Sequence, residues 1–335
     1  MATQISASLL RSNASRRLLL TAGILLVYRL GCQIPIPGLN TDALSRLNGL
    51  LTIETVSIFA LGVTPFLSAL LIFEFSKLII PPLARWEIAD PNNARRLDRY
   101  SYYLALVMAG LQARGVANAL YGLSGLIDGP AWEIPIALTF VAGVVLLGWL
   151  GDRITVHGLG NGFWLLLITP TLIRLPNAAL ESIELLQRGA VTPTGFFAAV
   201  AFLVLAVALV AMVGMARARS ERHTSGTDFL GVWPPLFASY ISSFVVTLFS
   251  FSAGGTVHLI LIATLIAAFN WLQSWGRSKD TSRLVWTIAL VQIFVCIGGE
   301  LLTRQLGSPF PINGSWLIVI VTTAISCLRS KEPTT

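Results

Sequence analysis

Charge is what this chain lacks. Only 12% of its 335 residues are Asp, Glu, Lys or Arg, against about 25% in an ordinary soluble domain, which excludes a water-facing globular enzyme of this length. Cysteine is scarcer still. Cys32, Cys296 and Cys327 are too few and too scattered for a disulfide framework, and their apolar settings make them small buried hydrophobes. Histidine supplies only His157, His223 and His258, which sit in three different connections or span ends without ligand spacing, so no metal is expected. No Gly-rich phosphate loop with its lysine is present, and no cofactor is expected. The alternating strands of a membrane barrel are missing. No connection is long enough to fold as a soluble domain.

What is there is apolar. Hydrophobic residues make up 55% of the chain, and mean hydropathy is +0.75. Runs of about 20 apolar residues recur, each long enough to cross a bilayer core, and such runs satisfy their backbones internally as helices. Ten spans are expected, at 17–34, 56–82, 100–121, 133–151, 159–180, 194–215, 229–252, 256–275, 284–303 and 312–328. Arg16 and Arg17 lead into the first of these rather than into a cleavable signal. The spacer from Pro37 to Glu54 is too polar to span.

The net charge of +7 would raise nucleic acid in a soluble protein. Here the basic residues lie between apolar runs, and the positive-inside rule accounts for them, so no nucleic-acid partner is expected. With the N-terminus in the cytoplasm, 17 basic residues fall inside, among them Arg95, Arg96, Arg99, Arg217 and Arg219. Six fall elsewhere: Arg29, Arg46, Arg114, Arg174, Arg188 and Arg304. Both termini are therefore expected to be cytoplasmic. Five spans per half is an odd number, so a repeat of the halves would be inverted, a plan that encloses a central path.

Several spans carry features that a plain lipid anchor does not need. Gly62 and Pro65 interrupt the second, where Pro65 is expected to kink the helix. Pro234 and Pro235 stand together in the seventh. Gly158, Gly160 and Gly162 open the fifth, permitting close backbone approach. Ordinary close packing would also explain each feature. Glu74, an intramembrane acid, is a proton-relay candidate by default, but Lys77 three residues on favours an ion pair near the cytoplasmic end of the span. Gly122-Leu123-Ser124-Gly125 matches a G-x-S-G protease pattern with His258 as a conceivable base, but Ser124 falls among turn formers and reads as a loop serine.

Four segments together resemble the SecY family of protein-conducting channels: RLGCQIPIPG after the first run, SIFALGVTPFLSA in the second, WLGDRITVHGLGNG at the fourth-to-fifth junction, and GVWPPLFAS in the seventh. The resemblance is close in the first half of the chain and weaker in the second. It implies an all-α polytopic membrane protein of about ten helices in two inverted five-helix halves, residues 1–190 and 191–335, closing as a clamshell around a pore. It implies an apolar pore ring of Val63, Leu67, Phe163, Leu167, Leu236 and Val319, which excludes water while yielding to a chain. It also implies a lateral gate between the second and seventh spans, near the helix breaks at Pro65, Pro234 and Pro235.

By the same resemblance the expected function is a non-enzymatic subunit passing polypeptides across, or laterally into, the bacterial inner membrane. SecE-like and SecG-like small membrane subunits would accompany it, with polypeptide and membrane lipid as its other partners. The chain departs from the family in a short first spacer without a Gly-rich plug and in trimmed cytoplasmic connections, ARARSERHTSGTD and SWGRSKDTSR. A specialised channel with reduced docking loops is expected, and coupling to SecA or the ribosome is left open. The competing readings are a membrane insertase or scaffold without a conducting pore, and a secondary transporter.

Overall fold

A computed structural model describes residues 2–46, 53–123, 125–127, 133–220, 232–248, 255–274, 279–305 and 314–329. The helices are α1 (Ala2–Gly31), α2 (Thr41–Arg46), α3 (Thr64–Ile79), α4 (Pro81–Ala89), α5 (Pro91–Tyr121), α6 (Glu133–His157), α7 (Gly162–Gln187), α8 (Pro193–Ser220), α9 (Trp233–Leu248), α10 (Thr256–Ser274), α11 (Lys279–Gln305) and α12 (Gly314–Arg329). Ten of them have 16 residues or more, and they follow the order of the ten expected spans. Among the described residues the only β pairing is two isolated bridges. Residues 47–52 of the first spacer, Ser124, and the connection 221–231 with His223 lie outside the described residues.

Proline begins helices here more often than it bends them. It falls in the first turn of α3, α4, α5, α6, α8 and α9, where its missing N–H has no helical partner to lose. The exceptions are Pro170 and Pro176 inside α7.

By length and composition, Glu133–His157, Gly162–Gln187, Pro193–Met215 and Arg283–Leu302 can each cross a membrane, and Thr256–Leu272 and Gly314–Leu328 are shorter apolar helices. In Pro193–Met215 only 17% of the apolar window is buried, so a protein core does not explain its composition. Phe197, Val204, Leu205 and Met212 stand exposed along it, as lipid-facing residues do. The chain is an all-helical multi-pass membrane protein.

Contacts divide the chain into two compact units, Met1–Leu167 and Ile168–Thr335, with the division inside α7. In the first unit α5 packs against α3 and α6. Its buried residues Leu97, Ser101, Ala105, Ala109, Ala113 and Ala117 recur every fourth position. This small-residue ridge lets an otherwise polar helix come close to its neighbours. The IPIPG segment is drawn into the same unit: the Ile36 N–H donates to the Val56 carbonyl at 3.0 Å and the Ile58 N–H to the Ile34 carbonyl at 3.0 Å. Ile36 joins Val56, Leu120, Leu126 and Phe140 in the core. In the second unit α8 to α12 gather around Ala206, Ile262, Ile266, Val295, Cys296, Leu317 and Ile318.

Candidate functional site

The second apolar run is expected to span as one helix from 56 to 82, but its first part is unwound. After a 3-10 turn at Ile53–Val56, residues 57–63 form turns and α3 begins only at Thr64. The backbone is satisfied locally: Ala60 donates to the Ser57 carbonyl at 3.0 Å, Gly62 to that of Phe59 at 2.8 Å, and Leu67 to that of Val63 at 3.1 Å. Gly62 has φ +56°, a left-handed conformation that costs a side-chain-bearing residue about 1–2 kcal/mol. Gly143 of α6 lets the stretch in, since a Cβ there would lie 2.1 Å from the Ile58 carbonyl oxygen. Phe59 stacks on Tyr28 with ring centroids 5.9 Å apart. Pro65 therefore sits in the first turn of α3 and starts that helix instead of kinking it.

The GLGNG segment makes a second tight junction. The Leu159 N–H donates to Thr21 Oγ1 of α1 at 3.0 Å, and Thr21 donates to the Arg17 carbonyl at 2.9 Å. Asn161 caps α7, its Oδ1 accepting from the N–H of Phe163 at 3.0 Å. Thr155 Oγ1 accepts from the Gly162 N–H at 2.9 Å. A Cβ on Gly162 would lie 2.0 Å from the Gly151 carbonyl oxygen, so α6 and α7 meet backbone to backbone.

These two junctions bring together part of the expected ring. Val63 and Phe163 line one cleft of about 400 Å³ within the first unit, with Phe66, Leu70, Leu147 and Leu166 forming its apolar wall. Leu67 and Leu167 are buried beside it in sequence but do not line it. The cleft also has a polar side, with Ser101, Tyr102, Thr155, Asn161 and two carboxylates, Asp98 and Asp152. Asp98 lies just before the expected third span. Partial desolvation pushes its carboxyl above the ordinary aspartate value; nearby Glu87 adds to the push and Lys77 opposes it.

Lys77 Nζ meets Glu74 Oε1 at 2.7 Å and Glu87 Oε2 at 3.1 Å. Glu74 is thus one arm of an ion triad that ties α3 to α4. Sequence reading found the Glu74–Lys77 pair from its spacing and missed Glu87, ten residues further on and in the next helix.

In the second unit Leu236 and Val319 are buried. Pro234 and Pro235 fall in the first turn of α9, again at a helix start. Around them lies a hydroxyl cluster that the sequence did not signal: Ser315 of α12 donates to the Pro235 carbonyl at 3.4 Å, bonds Ser239 Oγ, and lies 3.5 Å from Cys296 Sγ. His258, weighed as a base from sequence, is buried with Nδ1 2.7 Å from Ser242 Oγ, a pair that joins α9 to α10.

A SecY family model matches residues 57–225. The protein translocase subunit SecY of Escherichia coli strain K12 is 30% identical over 391 aligned positions, covering 91% of this chain and 88% of that protein. The subunit of the same name from Rickettsia bellii is 27% identical, covering 94% and 92%. Among solved structures, one described as the structure of a protein conducting channel superposes with TM-score 0.60 at 12% identity, over 95% of this chain and 93% of that one. Sec61 from a canine ribosome–channel complex superposes with TM-score 0.59 at 14% identity, over 95% and 93%.

Proposed function

The chain belongs to the SecY family, and from that premise we propose that it is the protein-conducting subunit of a translocase, moving polypeptides across the bilayer or releasing them sideways into it. It is a channel subunit, not an enzyme. One observation carries the reading beyond family membership: the second apolar run is unwound at residues 57–63, and Val63, at its end, lines a cleft together with Phe163. Non-helical backbone at membrane depth is tolerated only where it is buried in protein or lines an aqueous path.

On this reading Val63, Leu67, Phe163, Leu167, Leu236 and Val319 form the collar, and α3 and α9 are the gate helices, each started by proline. The halves are residues 1–190 and 191–335, each with five spans, and both termini are cytoplasmic, as the distribution of basic residues favours. Small SecE-like and SecG-like membrane subunits are the expected partners, and the bacterial inner membrane the expected location. The alignment to the Escherichia coli relative runs over 391 positions, more than the 335 residues present here. The relative therefore carries insertions this chain lacks, in keeping with shortened connections between the spans.

The test is in vivo photocrosslinking from Leu236, with the exposed Val204 of α8 as the lipid-facing control. A secreted or signal-bearing polypeptide captured from Leu236 and not from Val204 is the expected result. Capture of membrane helices alone would move the function to an insertase or scaffold, and an empty probe on well-expressed protein would count against conduction.

A further inference from the structure

Trp233 and Pro234 each precede a proline, a position that disfavours helical backbone because the following ring crowds it. Both nevertheless lie in the first turn of α9. The Leu236 N–H closes that turn on the Val232 carbonyl at 3.3 Å. A further contact comes from α12. Ser315 is buried, 5% exposed, and has one hydroxyl proton and two lone pairs. It donates to the Pro235 carbonyl at 3.4 Å, shares a hydrogen bond with Ser239 Oγ and lies 3.5 Å from Cys296 Sγ. One serine thus holds the start of α9 and braces it on α11. Val319 lies one helical turn from Ser315 on the same face of α12, and Leu236 directly follows the carbonyl that Ser315 holds.

We infer that Ser315 is a positioning residue that latches the first turn of α9, and that releasing it lowers the barrier to opening. This rests on the channel reading above. The rings of Pro234 and Pro235 disfavour helical backbone in the first turn of this gate helix, and the Ser315 hydroxyl, on the Pro235 carbonyl and Ser239, holds it from a neighbouring helix. Removing that hydroxyl shifts the closed–open balance toward open without touching the apolar collar.

The experiment measures resting ion conductance of the full chain, purified with its co-purifying small subunits, in planar bilayers. Ser315→Ala is expected to raise conductance about five- to tenfold, the shift that corresponds to about 1–1.4 kcal/mol. Ser315→Thr keeps the hydroxyl and should restore the wild-type level. Cys296→Ala, which removes the α11 contact of the same hydroxyl and leaves its bond to the Pro235 carbonyl, should remain within about twofold of wild type. Should Ser315→Ala fail to insert, Ser239→Ala removes the α9 side of the same contact and should give a smaller rise of about two- to threefold. Leu236→Gly opens the collar directly and serves as the control. If it conducts while Ser315→Ala and Ser239→Ala do not exceed wild type, or if Cys296→Ala leaks as much as Ser315→Ala, the latch is refuted and the channel reading stands. If Leu236→Gly itself does not conduct, the channel reading fails first.

Discussion

In the first unit, helices meet through their backbones. Gly143 admits the Ile58 carbonyl, Gly162 rests against the Gly151 carbonyl, and Thr21 and Thr155 reach peptide N–H groups across the junctions. In the second unit, helices meet through side chains. Asn270 Nδ2 of α10 donates to Gln292 Oε1 of α11 at 2.9 Å, Ser242 bonds His258, and Ser315 bonds Ser239 and Cys296. The separation is not absolute, since Gly314 also approaches the Val295 carbonyl and Ser68 pairs with Gln112. Lipid tails give no hydrophobic push between helices, so close contact needs either small residues or polar partners. The first unit relies mainly on the former and the second on the latter. The first should therefore tolerate no added atom at its seams, while the second should tolerate volume but not the loss of a polar partner.

The sharpest way to break that contrast is one added methyl. Gly162→Ala places a Cβ 2.0 Å from a backbone oxygen, which no rotamer change relieves. It should cost about 3 kcal/mol or more, the upper end of overpacking, read as a fall in thermal midpoint or in resistance to denaturant in nanodiscs. Gly23→Ala in α1, where a Cβ meets nothing within 4 Å, should be neutral or slightly stabilising, as helix propensity dictates. A Gly162→Ala protein as stable as wild type would mean that α6 and α7 are not seamed at this point.

The second unit is probed by the opposite operation. A double-mutant cycle on Asn270→Leu and Gln292→Leu should return a coupling of about 0.6 kcal/mol, with an upper bound near 1.7, the range found for interhelical hydrogen bonds in membranes. The single variants keep the packed volume, so a coupling indistinguishable from zero would assign the α10–α11 contact to packing and dissolve the distinction between the units.

The same contrast decides what could be read from sequence. The IPIPG and GLGNG segments are legible because glycine and proline act on the chain locally, and their spacing alone marks a tight junction. What they seal against is not legible: Thr21 and Leu159 are 138 positions apart. The prolines at 65, 234 and 235 are visible as interruptions, but their effect depends on where each helix begins. An expected kink at Pro65 becomes a helix start because residues 57–63 are already unwound. The second unit's devices are ordinary serines, an asparagine and a glutamine within apolar runs. Ser315 and the Pro235 carbonyl it holds are 80 positions apart, and nothing local distinguishes that serine from its neighbours. The collar residues were assigned by resemblance to a family motif, since any apolar side chain at those positions meets the chemical requirement.

The smallest effect expected lies at the polar side of the first unit's cleft. Asp98 forms no ion pair among the described residues, and partial desolvation, with Glu87 adding to it and Lys77 opposing, raises its carboxyl above the ordinary aspartate value. A raised value in the folded protein means that the folded state holds the proton more tightly than the unfolded chain does. Ionised Asp98 is therefore mildly destabilising above the folded value, and the penalty fades as pH falls through that value toward the unfolded one. Asp98→Asn should accordingly be slightly more stable than wild type at neutral pH, by less than about 0.5 kcal/mol because solvent screens this exposed position. The advantage should vanish on acidification to about pH 4, near the ordinary aspartate value. Paired melts of the two proteins across that range test the sign. A deficit at neutral pH that shrinks on acidification would mean that Lys77 outweighs desolvation and Glu87, and that this side of the cleft is held by charge as well as by its glycine seams.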